Sequence, residues 1–540
     1  MTNYATVTDT TPVVRVGHGL IRGENREGVA IFRGIPYGAP CDGARRFLPP
    51  LPAESWDGVR DCTKNGPIAV QFGTSISGSG DFGAYFSGGK PELFRCDDEV
   101  QDENCLVLNV LTPGLDDKKR PVLVYLHGGG FATGSGSLVL GADPWVREED
   151  LVVVGLNHRL NVFGALHLGA FDPKYAESGM AGMLDCVLAL EWVRDNIAAF
   201  GGDPAKVTIM GESGGGGKVN NLIAMERARG LFRAAIVESG SGAPGRTSIE
   251  DATALAQALL DELGVPNDQL EQLQSIPAQE ILQASGRLGA FMGFGPVADG
   301  INLPYNPAGV YLEADPTLPL LVGSSEEEMA AFADPTPGGL SWDQLREKLL
   351  AHTRAAEAEA GEAETPDDGK KRRAPKGKRP SMGGTDWITE DNDDAIIAAF
   401  RAIDRKGVDP EHIYYQIVSM GGPLGGDAFL QALAKAEKGC APVYAYFFTF
   451  DAPHPRHPSL RFAWHTADLP LQMRVVAHAD CEQISREMAH AWAAYIRTGS
   501  PSTEELPWPA FTATGRETMV LDTPCRVEND PTRPYRDALA

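Results

Sequence analysis

The stretch Val207-Thr208-Ile209-Met210-Gly211-Glu212-Ser213-Gly214-Gly215 decides the fold. Strand-like residues run into a G-x-S-x-G turn, and a glycine-rich helix start follows. Strand, sharp turn and helix in that order form a nucleophile elbow, which lifts a serine hydroxyl above the end of a sheet. The turn strains the serine backbone. Glycines at 211 and 215 are expected because a side chain there would collide with the neighbouring strand or helix. The helix N-terminus would face the reacting carbon. G-x-S-x-G is common as a bare string, so its surroundings carry the weight.

Upstream, Pro121-Val122-Leu123-Val124-Tyr125-Leu126 reads as a buried strand and runs into His127-Gly128-Gly129-Gly130-Phe131. Consecutive glycines leave backbone N–H groups unshielded. Ester hydrolysis places negative charge on the former carbonyl oxygen, and preorganised N–H donors stabilise it by about 3 kcal/mol each. H-G-G-G before G-x-S-x-G is the pairing of esterases and lipases. It nominates the N–H groups of Gly129, Gly130 and Gly214 as the oxyanion hole.

Further apolar runs at 151–156, 234–238, 318–322 and 441–449 alternate with helical patterns. Such alternation implies an α/β protein with a mostly parallel central sheet and helices on both faces. Residues 12–34 read as short strands forming an N-terminal antiparallel edge. Cys186, Leu190, Val193 and Ile197 follow helical spacing as one core-facing stripe, which makes the cysteine a packing residue.

Three stretches carry a family resemblance. Phe200 to Gly215 resembles a signature of F-G-G, an apolar strand and G-x-S-x-G. Glu103-Asn104-Cys105-Leu106-Val107-Leu108-Asn109 resembles E-D-C-L-x-L-N, with Asn104 replacing the aspartate. Phe32-Arg33-Gly34-Ile35-Pro36-Tyr37-Gly38 resembles the N-terminal motif. The chain is thereby identified as resembling the type-B carboxylesterase/lipase family, which includes the cholinesterases, from about residue 12 to the C-terminus. A bacterial, para-nitrobenzyl esterase-like member is the expectation. The resemblance implies one α/β-hydrolase domain over 1–540 and a Ser–Glu–His triad led by Ser213.

The acid lies in Gly323-Ser324-Ser325-Glu326-Glu327-Glu328. The residues alone do not choose among the glutamates. The family pattern G-x-x-x-D-E-G selects Glu328, with Glu327 second, and Met329 stands where a glycine is usual. The base is His465 in Trp464-His465-Thr466-Ala467-Asp468-Leu469-Pro470, which resembles H-G-x-[DE]-[LI]-P with Thr466 replacing the glycine. Gly214 replaces a family alanine, which keeps the N–H donor and is expected to loosen the oxyanion hole. A serine hydroxyl needs a base to take its proton and the base needs an orienting group, which is the logic of this trio.

The net charge of −25 argues against nucleic acid and anionic membranes as partners. A small-molecule ester substrate is the expected partner, with monomer and homodimer both open. No ~20-residue apolar span and no signal-like N-terminus is present, so a cytoplasmic location is expected. The eight cysteines show no zinc-type spacing, and neither metal nor cofactor is expected. In secreted relatives the cysteine equivalent to Cys105 often pairs with one in a C-x-Q stretch, which here reads Ala69-Val70-Gln71. Reduced thiols are expected, with Cys62–Cys105 and Cys96–Cys105 as the alternative bridges.

Residues 354–384 are acidic, then basic, and read as a charged flexible insert. Gly214-Gly215-Gly216-Gly217-Lys218 invites a phosphate-loop reading, but Glu212 and Val219 break the register of G-x-x-x-x-G-K-[ST]. Phe82, Tyr85, Phe86, Phe294 and Trp464 are candidates for an apolar gorge or for the core. The rival to an esterase is a binding protein that kept the fold and lost the nucleophile. Within catalysis, lipase, amidase, lactonase and thioesterase chemistry would use the same residues.

Overall fold

A computed structural model describes residues 11–73, 99–241, 247–290, 293–304, 317–332, 334–336, 338–351, 388–403, 407, 409–422 and 424–540. The charged 354–384 stretch, Phe82, Tyr85, Phe86 and Cys96 lie outside them.

The strands in chain order are β1 (Val13–Val16), β2 (Gly19–Arg22), β3 (Glu24–Arg26), β4 (Val29–Pro36), β5 (Val59–Asp61), β6 (Val107–Thr112), β7 (Arg120–Leu126), β8 (Val152–Leu156), β9 (Gly202–Glu212), β10 (Ala234–Glu238), β11 (Leu320–Ser325), β12 (Val443–Phe448), β13 (Ala452–Pro453), β14 (Arg461–Phe462), β15 (Glu517–Leu521) and β16 (Arg526–Asn529). One large sheet runs β16-β15-β12-β11-β10-β9-β7-β8-β6-β4-β3. Its centre, from β15 to β8, is parallel. Antiparallel pairs finish both sides: β8–β6, β6–β4 and β4–β3 at one, β15–β16 at the other. This is the α/β-hydrolase architecture, with the N-terminal antiparallel edge that the sequence suggests. β1 and β2 depart from that expectation. They leave the large sheet and pair with β5 in a small one.

Both faces of the central sheet are buried, and the strand residues show it. On β7, Leu123 and Tyr125 pack into one core while Val122, Val124 and Leu126 pack into the other. That two-sided burial explains the unbroken apolar run at this position. Helix α1 (Ala181–Asn196) covers one face. It carries Cys186, Leu190 and Val193 as expected, but Met183, Leu184, Val187 and Leu188 are buried too. It lies beneath further structure on its outer side, so the single-stripe reading was too narrow. Ile197 belongs to the short turn that follows. On the other face, helix α4 (Glu482–Thr498) buries Met488, Trp492, Tyr495 and Ile496. Between these in sequence come α2 (Gly214–Ala224) and α3 (Pro410–Met420). No described helix is long and apolar enough to cross a membrane.

The strand order fixes where a site can form. From β7 the chain moves to β8 on one side, then crosses back to β9 on the other and continues outward to β10, β11 and β12. The reversal makes a crevice at the carboxyl ends of β7 and β9, where α/β proteins bind ligands.

Candidate active site

β7 and β9 pair in parallel with Leu126 opposite Gly211, so the loop after β7 and the turn after β9 start side by side. Ser213 sits on that turn with φ 58° and ψ −126°, a conformation costly for any residue with a side chain. Its N–H donates to the Glu238 carbonyl of β10 at 2.8 Å, and its own carbonyl accepts from Gly217 N–H at 3.1 Å. A Cβ on Gly211 would lie 2.3 Å from the carbonyl of Gly215, and one on Gly215 would lie 2.1 Å from the Leu126 carbonyl oxygen. The elbow therefore requires its two glycines for close approach.

The loop after β7 turns through Gly129, Gly130 and Phe131 at φ 85°, 60° and 62°. Its turn is closed by Ala132 N–H and Thr133 N–H, which donate to the Gly129 carbonyl at 3.0 and 3.1 Å. The loop presses onto the first turn of α2. A Cβ on Gly214 would lie 2.6 Å from Gly130 N. Glycine at 214 thus allows a close approach of the two N–H-bearing segments.

The three consecutive glutamates after β11 are all buried, and each has a different partner. Glu326 accepts a hydrogen bond from the Tyr535 hydroxyl. Glu327 pairs with His412 Nδ1 at 2.5 Å and accepts from Ala463 N–H at 2.9 Å. Glu328 Oε2 lies 2.5 Å from His465 Nδ1, while its Oε1 accepts from Ser239 Oγ at 2.6 Å and Ser325 N–H at 2.7 Å. One carboxylate oxygen is thus fixed by two donors and the other is presented to the ring. Met329 lies in a short helical turn, Glu328–Ala331, so the missing glycine costs nothing there. Its N–H donates to Ser419 Oγ at 3.0 Å.

His465 is buried, with Nε2 directed at the elbow 3.2 Å from Glu212 Oε1. Among the described residues, no hydrogen bond joins the ring to the Ser213 hydroxyl; Nε2 rests against the preceding residue instead. Burial alone would lower the imidazole pKa, but the carboxylates of Glu212 and Glu328 outweigh it and push it up to about 9. Burial raises the Glu212 carboxyl to about 8, with His465 pulling the other way. Asp468 is raised to about 6, chiefly by burial and then by Glu328, and accepts from the Tyr446 hydroxyl at 2.9 Å. Burial also raises Glu238, which accepts from Trp492 Nε1 at 2.7 Å.

Ser239, Glu212, Glu238 and Asp468 are site residues that motif reading did not nominate as functional. Glu212 was visible as the variable position of the elbow motif. Ser239 carries no local signal beyond following an apolar strand.

The second motif has a structural task. Glu103 forms a two-pronged pair with Arg46, both contacts at 2.6 Å, and Asn104 Oδ1 accepts from Cys41 N–H at 2.8 Å. Trp464 is fully buried in the core beneath the sheet. Phe294 is buried as well, and lines with Phe131, His158, Arg159, Asn161 and Met183 a small cavity beside the loop after β7. Among the described residues every cysteine is a free thiol, Cys62 and Cys105 included.

Fold and site together define a carboxylic ester hydrolase of the α/β-hydrolase fold. The sequence model of the carboxylesterase family matches residues 10–536, and the chain belongs to that family. It is 32% identical to the para-nitrobenzyl esterase of Bacillus subtilis (strain 168), over 98% of this chain and 99% of that protein. It is 30% identical to the phenmedipham hydrolase of Pseudarthrobacter oxydans, over 97% and 98% of the two. Among solved structures, carboxylesterase EST55 of Geobacillus stearothermophilus superposes with a TM-score of 0.75 at 33% identity, covering 98% of this chain and 100% of that one.

Proposed function

We propose that the protein is a serine carboxylesterase that hydrolyses small to medium uncharged esters through an acyl-enzyme on Ser213. The observation that carries this reading is the seating of His465, between a doubly anchored Glu328 at 2.5 Å and the serine elbow. In the proposed cycle Nε2 of His465 leaves Glu212 for the Ser213 hydroxyl and takes its proton as Oγ attacks the ester carbon. The oxyanion is received by the N–H groups of Gly129, Gly130 and Gly214. His465 returns the proton to the leaving alcohol, and a water molecule repeats the sequence on the acyl-enzyme. Glu328 orients the ring and stabilises its charged form.

Two of the relatives are named as hydrolases, para-nitrobenzyl esterase and phenmedipham hydrolase. Aryl and benzyl esters are therefore the first substrates to offer. The test is turnover of p-nitrophenyl esters of increasing acyl length by the wild type and by Ser213→Ala. Turnover that vanishes in a folded variant supports the proposal, and the optimum length sizes the acyl pocket. A Ser213→Ala protein that keeps its activity would refute it. A folded wild type that neither turns over esters nor takes up a fluorophosphonate would favour the binding-only reading.

A further inference from the structure

Lys218 was set aside as part of a failed phosphate-loop pattern, yet its side chain is fully buried one turn into α2. Its Nζ donates to the His127 carbonyl at 2.7 Å and reaches the Gly128 carbonyl at 3.5 Å. The ammonium also lies 5.2 Å from the centre of the Phe131 ring. All three contacts fall on the loop that carries Gly129 and Gly130.

We propose that Lys218 is a positioning residue for the oxyanion hole, holding the 127–131 loop from behind so that its N–H groups face Ser213. The inference rests on the serine-esterase reading above. An amide is planar and trans, so its C=O and N–H point in opposite directions. The firm bond to the His127 carbonyl therefore aims the N–H of Gly128 away from Lys218, and the longer contact on the Gly128 carbonyl favours the same direction for the N–H of Gly129. The opposite side of the loop is the serine side, since a Cβ on Gly128 would lie 3.4 Å from Ser213 Cβ. The Gly128 carbonyl takes a second contact from its neighbour, His127 Nδ1, at 3.0 Å. A carbonyl accepts only, so that nitrogen carries the proton. His127 stacks on His158 at 5.0 Å, and burial, followed by the nearby Lys218, holds both rings well below their usual pKa. The next amide, Gly129–Gly130, is held by the turn to Ala132 and Thr133. Each carbonyl on the rear of the loop thus has a donor, and a cationic donor also polarises the amide it binds.

Gly128, Gly129 and Gly130 bring no side chains of their own to hold the middle of the loop, which is why a rear anchor has an effect on the reaction. The anchor's pKa is lowered to about 7 by burial, so the amine is poised between charged and neutral forms while remaining a donor in both.

The experiment compares wild type, Lys218→Met and Lys218→Gln on p-nitrophenyl butyrate, with thermal melts to establish folding. It also measures inhibition by an aryl trifluoromethyl ketone. That probe forms a bond from Ser213 Oγ to its carbonyl carbon; the Oγ proton goes to His465 and the ketone oxygen becomes the oxyanion. The expected result for Lys218→Met is kcat down by about 10- to 100-fold with KM within about twofold. The ketone's Ki should rise by the same factor as kcat falls, below the loss of a whole donor. Lys218→Gln, which keeps a neutral donor, should fall between. If the folded Lys218→Met protein keeps kcat and Ki within about threefold of wild type, Lys218 is a packing residue and the proposal is overturned. It is overturned also if KM rises while Ki stays unchanged. A wild type that fails to turn over the ester or bind the ketone removes the Ser213 reading instead, and this inference with it.

Discussion

Thr466 holds φ at +73°, a left-handed conformation that its branched side chain resists, and its buried hydroxyl has no hydrogen-bond partner among the described residues. Glycine, which the family pattern has there, would relieve about 1–3 kcal/mol of strain and give back about 0.5–1 kcal/mol through the freer unfolded chain. Thr466→Gly is expected to stabilise the protein by about 1 kcal/mol, read as a higher urea midpoint at unchanged slope. An unchanged or lower midpoint would mean that the loop relaxes around threonine. The proposed cycle implies a pH dependence. In it His465 must be neutral to accept a proton, and its pKa is raised to about 9 by Glu212 and Glu328. The kcat/KM of the free enzyme should therefore climb with pH toward about 9. Glu212→Gln removes one of the two raising charges, so the climb should move to lower pH. A rising limb that stays in place would show that Glu212 does not govern the ring. The stability contribution has the opposite sign: the raised pKa favours the fold below the ordinary histidine range and is lost as pH rises through about 9.

The turn between β9 and α2 tolerates no extra atom. Gly215→Ala would place a methyl group 2.1 Å from the Leu126 carbonyl, and strand and helix are both held by hydrogen bonds that oppose retreat. A loss of about 3 kcal/mol or more is expected, measured by denaturant unfolding. Ser239→Ala removes one of two donors on Glu328 Oε1. A bond to a charged acceptor is worth about 1.5 kcal/mol or more, so kcat should fall about tenfold with little change in KM. Most of the sheet was legible because β7 to β12 are apolar runs bounded by turn residues. Three strands escaped. β6, Val-Leu-Asn-Val-Leu-Thr, was read only as part of a motif, and its interior Asn109 hides the pattern by accepting from Gly34 N–H at 3.0 Å. β15 and β16 are short and lie after the last motif, where only pairing with β12 defines them. Two members of the proposed triad, Ser213 and His465, were legible for a different reason: each sits in a long motif. The residues alone did not choose among the three glutamates, which differ only in partners at residues 412, 465 and 535; the family pattern selected Glu328, the one that meets His465. Ser239 and Lys218 show the same limit, since their roles lie in contacts with other segments of the chain.

Across the whole molecule the thiols report how closed the fold is. Cys41, Cys62, Cys105, Cys186 and Cys481 are buried, and burial pushes the thiols of Cys41, Cys62 and Cys186 up to about 12, while Cys440 is exposed. Thiolate is the reactive form, so brief alkylation of the native protein should mark Cys440 and leave those five unmodified, as peptide mass spectrometry would show. Labelling at Cys105 would reveal an opening of the N-terminal region.

The three glutamates after β11 also bear on the order in which the chain is made. Each has a partner downstream, at residues 412, 463, 465 and 535. A nascent chain built only as far as β11 and these carboxylates holds none of those later groups. The buried acidic cluster can take its final shape only when those later segments have been made and have folded back onto it.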